Sequence, residues 1–191
     1  MTDMTTMATK LADLKLFQDV IIKAEQTLMS ATDDTKIRER LEKMLTQDRE
    51  NMSDIDSAIA KFGTAKFGTQ ANARDITQQH AQKVEKMMNG SELTTYDKFF
   101  QLELLKHQQT MTGLVLHKTG QSLSDDLQDA MEPLNKVNFE NRAHQEVLKG
   151  ILYFVGTREL AGTEPDMGLW ASVEQGIAAL KGAASSATSS S

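Results

Sequence analysis

The run Met7-Ala-Thr-Lys-Leu11-Ala-Asp-Leu14-Lys-Leu-Phe-Gln18-Asp-Val-Ile21-Ile-Lys-Ala-Glu25-Gln-Thr-Leu28 sets apolar residues on steps of four and three. Such steps keep Met7, Leu11, Leu14, Ile21 and Leu28 on one face of a helix, with Gln18 and Glu25 inside the stripe. A stripe of this width is buried by packing against other helices. Working outward, comparable seams recur: Ile37, Leu41, Met44, Asp48, Met52, Ile55 and Ile59; then Tyr96, Phe100, Glu103, His107, Leu114 and His117; then Val137, Glu140, His144, Leu148, Ile151 and Val155. The pattern predicts helices from about Met4 to Met29, Asp34 to Phe62, Ala71 to Met88 and Leu93 to Thr119. A further stretch starts at Ser122 or Ser124 and runs to about Glu159, with a break at Pro133, which cannot donate to the helix ladder. After Gly162 and Pro165, Met167 to Leu180 repeats the signal with Trp170, Val173, Ile177 and Leu180. The expected fold is an all-α four-helix bundle with a crossover helix and a C-terminal helix; an up-down-up-down order stays open.

The composition agrees. Hydrophobic residues make up 39% and aromatics 5%, which suits a core of Leu, Ile, Val, Met and Ala, and the eleven Met fill irregular gaps between helices. Only two Pro and no sustained alternation argue against a sheet. With 27 acidic against 21 basic residues, the net charge of −6 offers no general attraction to nucleic acid or anionic membrane, and neither is expected as a partner. The nearest basic cluster, Lys36-Ile-Arg38-Glu39-Arg40, is interleaved with acid. The absence of Cys excludes thiol catalysis, disulfides and Cys-based metal sites. No leader or membrane-length apolar run is evident, so a cytoplasmic protein is expected. Residues 1–181 read as one domain, and 182–191, rich in Ser and Ala, as a disordered tail. The tandem repeat Ala60-Lys-Phe-Gly-Thr64 and Ala65-Lys-Phe-Gly-Thr69 reads as a small duplication in an exposed connection.

Carboxylates within apolar seams are unusual, because a buried charge is costly unless paired or bound to a cation. The pairs Glu103/His107 and Glu140/His144 each span one helical turn, and from antiparallel helices they offer two carboxylates and two imidazoles to one centre. Counting along the helices brings Asp48 to the same level, opposite Gln18. Glu25 lies about 10 Å higher and joins the metal-ligand set only if the first turn shifts. The expected donors are therefore Glu103, His107, Glu140, His144, Asp48 and Glu25, which suit iron or manganese, with zinc open. The competing reading pairs Glu103 and Glu140 with Lys106 or Arg142 at the bundle boundary. His117 and His80 read as structural. No nucleophile elbow, phosphate loop or dinucleotide fingerprint occurs.

The runs Glu103-Leu-Leu-Lys-His107-Gln-Gln-Thr-Met-Thr-Gly-Leu-Val-Leu-His117 and Asn138-Phe-Glu-Asn-Arg-Ala-His144-Gln-Glu146 resemble bacterial hemerythrin-like (HHE cation-binding) proteins and ferritin-like di-metal bundles. The chain departs from both in its Glu-before-His order and its four-residue step. The resemblance implies a di-iron or di-manganese site used in metal handling, oxygen or peroxide sensing, or stress protection, with ferroxidase- or peroxide-type activity if it is an enzyme. The alternative is a non-enzymatic scaffold or interaction protein with a buried polar network and no metal. A homodimer through the C-terminal helix around Trp170 is expected under either.

Overall fold

The computed structural model describes residues 4–63, 71–166 and 168–188, the last stretch as backbone beyond Leu180. It comprises α1 (Met4–Ala31), α2 (Thr35–Phe62), α3 (Asp75–Asn89), α4 (Thr95–Leu123), α5 (Asp125–Met131), α6 (Pro133–Ala161) and α7 (Leu169–Thr188), with no strand among the described residues. The helix ends follow local chemistry. Asp34 caps α2 by accepting from the amides of Lys36 and Ile37 at 3.0 and 3.1 Å. Thr94 and Asp97 form a capping box at α4. Ser124 caps α5, Pro133 sits in the first turn of α6, and Gly162 ends α6 with φ 65°, a left-handed conformation that suits glycine. Helix α7 extends to Thr188, into the segment expected to be disordered. The first copy of the tandem repeat closes α2, with Phe62 buried; the second copy, 65–69, lies outside the described residues.

Helices α1, α2, α4 and α6 form the bundle. Each packs against two of the others: α1 on α2 and α4, and α6 on α4 and α2. Their relative directions follow from two separate apolar cores. One joins the C-terminal half of α1 (Phe17 to Leu28) to the start of α2 (Ile37 to Met44), the start of α4 (Phe99 to Leu105) and the end of α6 (Leu148 to Val155). The other joins the beginning of α1 (Met7 to Leu14) to the end of α2 (Ile55 to Phe62), Leu116 of α4, the inner face of α5 (Leu127, Ala130 and Met131) and the start of α6. The order is therefore up, down, down, up, with α2 and α4 parallel and α3 carried on the crossover between them; the up-down-up-down alternative is not adopted. Each fully buried Leu or Phe in these cores contributes about 1.5–3 kcal/mol.

Two attachments complete the fold. The buried Asp13 carboxylate accepts from the backbone amide and Nε of Arg74 at 2.9 and 2.7 Å, which ties the start of α3 to α1. Helix α7 lies on α6 where Gly150 leaves room: a Cβ there would meet Val173 at 2.7 Å and Trp170 at 2.8 Å. Trp170 packs against Phe154 (ring centroids 5.9 Å) and under the Arg40 guanidinium at 3.9 Å. This corrects the expected dimer surface, because Trp170 and Val173 are used up inside the chain's own core. No helix among the described residues is long and apolar enough to cross a membrane.

Candidate functional site

Between the two apolar cores lies a layer of buried polar side chains. It draws on Gln18 and Glu25 of α1, Asp48 and Asn51 of α2, Lys106 and Gln109 of α4, and Asn138, Asn141 and His144 of α6, all buried. Each occupies a position in a 3-4 seam that elsewhere carries Leu, Ile or Val. At its centre is the Lys106 ammonium, fully buried. It donates to Asp48 Oδ2 and, at 2.9 Å, to His144 Nδ1, and it lies 3.2 Å from Glu25 Oε1. Asp48 also accepts from Gln18 Nε2 at 2.9 Å and Asn51 Nδ2 at 3.2 Å, and Gln109 Nε2 donates to Gln18 Oε1 at 3.0 Å.

Protonation follows from this geometry. Burial would raise Asp48, but the adjacent ammonium, with His144 and Glu25 adding to it, outweighs burial and holds the carboxyl well below its ordinary range. Burial pushes Glu25 well above its ordinary range, with the Asp48 charge adding to the shift and Lys106 only partly offsetting it. Neither Glu25 oxygen receives a well-directed hydrogen bond. Burial lowers His144, and Lys106 lowers it further. An ammonium cannot accept, so Nδ1 of His144 is the bare nitrogen and Nε2 carries the hydrogen, donated to Gln47 Oε1 at 2.8 Å. One carboxylate thus balances one ammonium, with Glu25 and His144 neutral.

Of the residues expected to meet at one centre, Asp48, His144 and Glu25 do so, their ligand atoms lying within 4.8 Å of one another. Asp48 faces Gln18 as the helix count requires. Glu25 reaches the centre without any shift of the turn. Helical side chains tilt toward their own N-terminus, so Glu25 leans down α1 while Asp48 and Lys106 lean up α2 and α4. Glu103, His107 and Glu140 stand elsewhere, and this corrects the expected site. Gln145 of α6 bridges Glu103 and His107 at 3.0 and 3.3 Å on the outer side, where His107 is exposed. Glu140 is half-buried, 3.9 Å from Lys136, and its carboxyl is raised by burial. The next residue, Asn141, turns inward instead. His117 contacts Glu132 at 3.3 Å, and His80 meets Phe17 edge-on.

Lys106, assigned at the sequence level to the boundary, is the residue that was missed. The signal was present: Phe99, Leu102, Lys106, Gln109, Gly113, Leu116 and Gly120 alternate steps of three and four without a break. Glu25, Asp48 and His144, expected to hold iron, manganese or zinc, are arranged around a cation the chain supplies itself. A divalent ion among them would stand beside a fixed positive charge, so the set as built does not fit one.

The layer reaches the surface beside His144. A cleft of about 870 Å³ opens between α2, α6 and α7; its charged lining is Glu39, Arg40, Glu42, Lys43 and Glu174, and Gln47 and His144 also line it. His144 stands at its floor behind Gln47. Arg40 is steered by Trp170 beneath it and by Glu174 at 3.4 Å.

Among curated proteins, the chain is 42% identical over 186 residues to a DNA nickase of Nostoc sp. (strain PCC 7120 / SAG 25.82 / UTEX 2576), covering 97% of this chain and 52% of that protein. The chain thus spans about half the length of the relative it matches. No protein-family model and no solved structure matches. The similarity corrects the resemblance to hemerythrin-like and ferritin-like proteins and the roles drawn from it, in metal handling, sensing and stress protection. It also displaces the scaffold alternative and the expectation of no nucleic-acid partner. That expectation rested on the acidic total and on the interleaving of the nearest basic run, Lys36–Arg40, with acid.

Proposed function

We propose that this chain acts in DNA processing, as the helical part of a protein that nicks one strand of a duplex. The observation that carries this reading is the 42% identity to the Nostoc DNA nickase across nearly all of this chain. Cutting a phosphodiester develops negative charge on the non-bridging oxygens, which needs fixed donors around it. The cleft between α2, α6 and α7 offers Arg40, Lys43 and the Nε2–H of His144, whose proton position is fixed from behind by Lys106. In this reading a backbone phosphate takes the place of Gln47 as the acceptor for His144, with Arg40 and Lys43 reaching it from the α2 wall.

The test is incubation of the purified chain with negatively supercoiled plasmid in magnesium or manganese buffer. Open circles are expected, together with a gel shift at low salt that fades as salt rises. The Arg40→Ala/Lys43→Ala variant, altered only at the cleft wall, is expected to lose both. Plasmid that is neither nicked nor shifted by the wild-type chain would overturn the reading.

A further inference from the structure

Helix α4 has two apolar faces. One is the buried seam from Phe99 to Gly120. The other lies on the opposite side, where Phe100, Leu104, Met111 and Val115 are 43–58% exposed. At 100° per residue these four fall within one narrow arc, and the stripe rises about 22 Å. Exposed apolar side chains aligned on one helix face mark a contact surface more often than scattered ones do.

The order of the row points to its occupant. Phe100 and Val115 lie equally far from the midpoint between His107 and Gln108, and so do Leu104 and Met111. The same midpoint relates Asp97 to Lys118, the acid and base that close the row at its two ends. A helix laid antiparallel on a second copy of itself, across a twofold axis through that midpoint, sets Phe100 against Val115 and Leu104 against Met111. It also sets each Asp97 against a Lys118. An isologous interface demands this self-complementarity: like end against unlike end, the same patch on both sides. Parallel pairing would instead set Asp97 against Asp97 and Lys118 against Lys118. The stretch between the two ends holds no charge in the arc except the titratable His107, so nothing along it opposes the contact.

We propose that the outer face of α4 is an interface with a second copy of this chain, antiparallel about His107 and Gln108. It is separate from the cleft and does not depend on the activity proposed above. The chain has no Cys, so a single introduced thiol reports its own neighbours.

Two measurements test the proposal. Light scattering on the eluting protein at tens of micromolar is expected to give twice the chain mass of 21.2 kDa, falling to the single mass in Leu104→Arg/Met111→Arg. Both sites are exposed, so the variant's circular dichroism should match wild type. In the second measurement, Gln108→Cys is expected to give a covalent dimer with a short bismaleimide, while Ile76→Cys, 69% exposed on α3, stays monomeric. A wild-type monomer overturns the proposal. So does a dimer that survives the double arginine variant, or equal cross-linking at the two thiols.

Discussion

Replacing Lys106 by Met removes the buried ammonium while keeping a side chain of similar length, and it tests whether Lys106 holds the central layer together. Asp48, fully buried, then faces two routes. If it stays ionised, a buried charge without its partner costs about 3–5 kcal/mol. If it takes up a proton, the cost at pH 7 is about 4 kcal/mol, at about 1.4 kcal/mol for each unit separating pH 7 from an unfolded Asp near 3.9. The chain follows the less costly route, and Gln18 and Asn51 remain bonded to Asp48 in either. The expected loss is therefore about 3–4 kcal/mol at pH 7. The second route makes that loss fall with pH, by about 1.4 kcal/mol per unit toward pH 5. Urea denaturation at pH 5, 6 and 7 reads both quantities. The double variant Lys106→Met/Asp48→Asn removes both charges and is expected to recover most of the loss. A loss below about 1 kcal/mol at pH 7, the range of an exposed ion pair, would refute the reasoning, as would a double variant no more stable than the single.

Glu25 holds its proton in the folded chain above its ordinary value of 4.5, where the unfolded chain has released it. Wild-type stability should therefore fall as pH rises from about 4.5 toward the raised folded value, and Glu25→Gln should lack that fall and be the more stable at pH 7; equal slopes in the two proteins would count against it. Asp48 works in the opposite window, its contribution present above 3.8 and lost as pH drops below that value, so acid unfolding should be delayed in wild type relative to Asp48→Asn. Gly150→Ala should force α7 off α6 at a cost of about 1–3 kcal/mol, with Trp170, the single tryptophan, shifting its emission to longer wavelength. Asp13→Ala should free Arg74 at a cost of about 1–3 kcal/mol, with faster amide exchange in α3 and unchanged exchange in α6.

The seam of α1 could be read from the sequence residue by residue, since Met7, Leu11, Leu14, Gln18, Ile21, Glu25 and Leu28 are all buried. Leu11, Leu14, Gln18, Ile21, Glu25 and Leu28 keep one unbroken alternation of three- and four-residue steps. Asp48 emerged for the same reason. Helix α4 could not be phased this way, because apolar residues occupy two opposite faces and the inner one carries Lys106 and Gln109. The stripe through Phe100 and His107 looked the better seam, and Glu103 entered the expected site with it. On α6, the buried seam runs through Asn141 and His144, while Glu140 lies one residue off it on an equally regular spacing. The proposed link to DNA had no pattern to reveal it: the acidic total and the interleaved basic run Lys36–Arg40 both argue the other way. It came from similarity along the whole chain.

Because charged and amide groups separate the two apolar cores, the bundle resembles two short oily blocks with a wet-tempered gasket between them. Loosening the block around α5 breaks contacts of Met7, Ile55 and Leu134 but leaves those of Leu28, Leu41 and Ile151 intact. Opening from one end should therefore stall at the level of Asp48 and Lys106 rather than run the full length of the rods. Amide exchange would then show two tiers of protection along each of the four long helices, with the step falling near its middle.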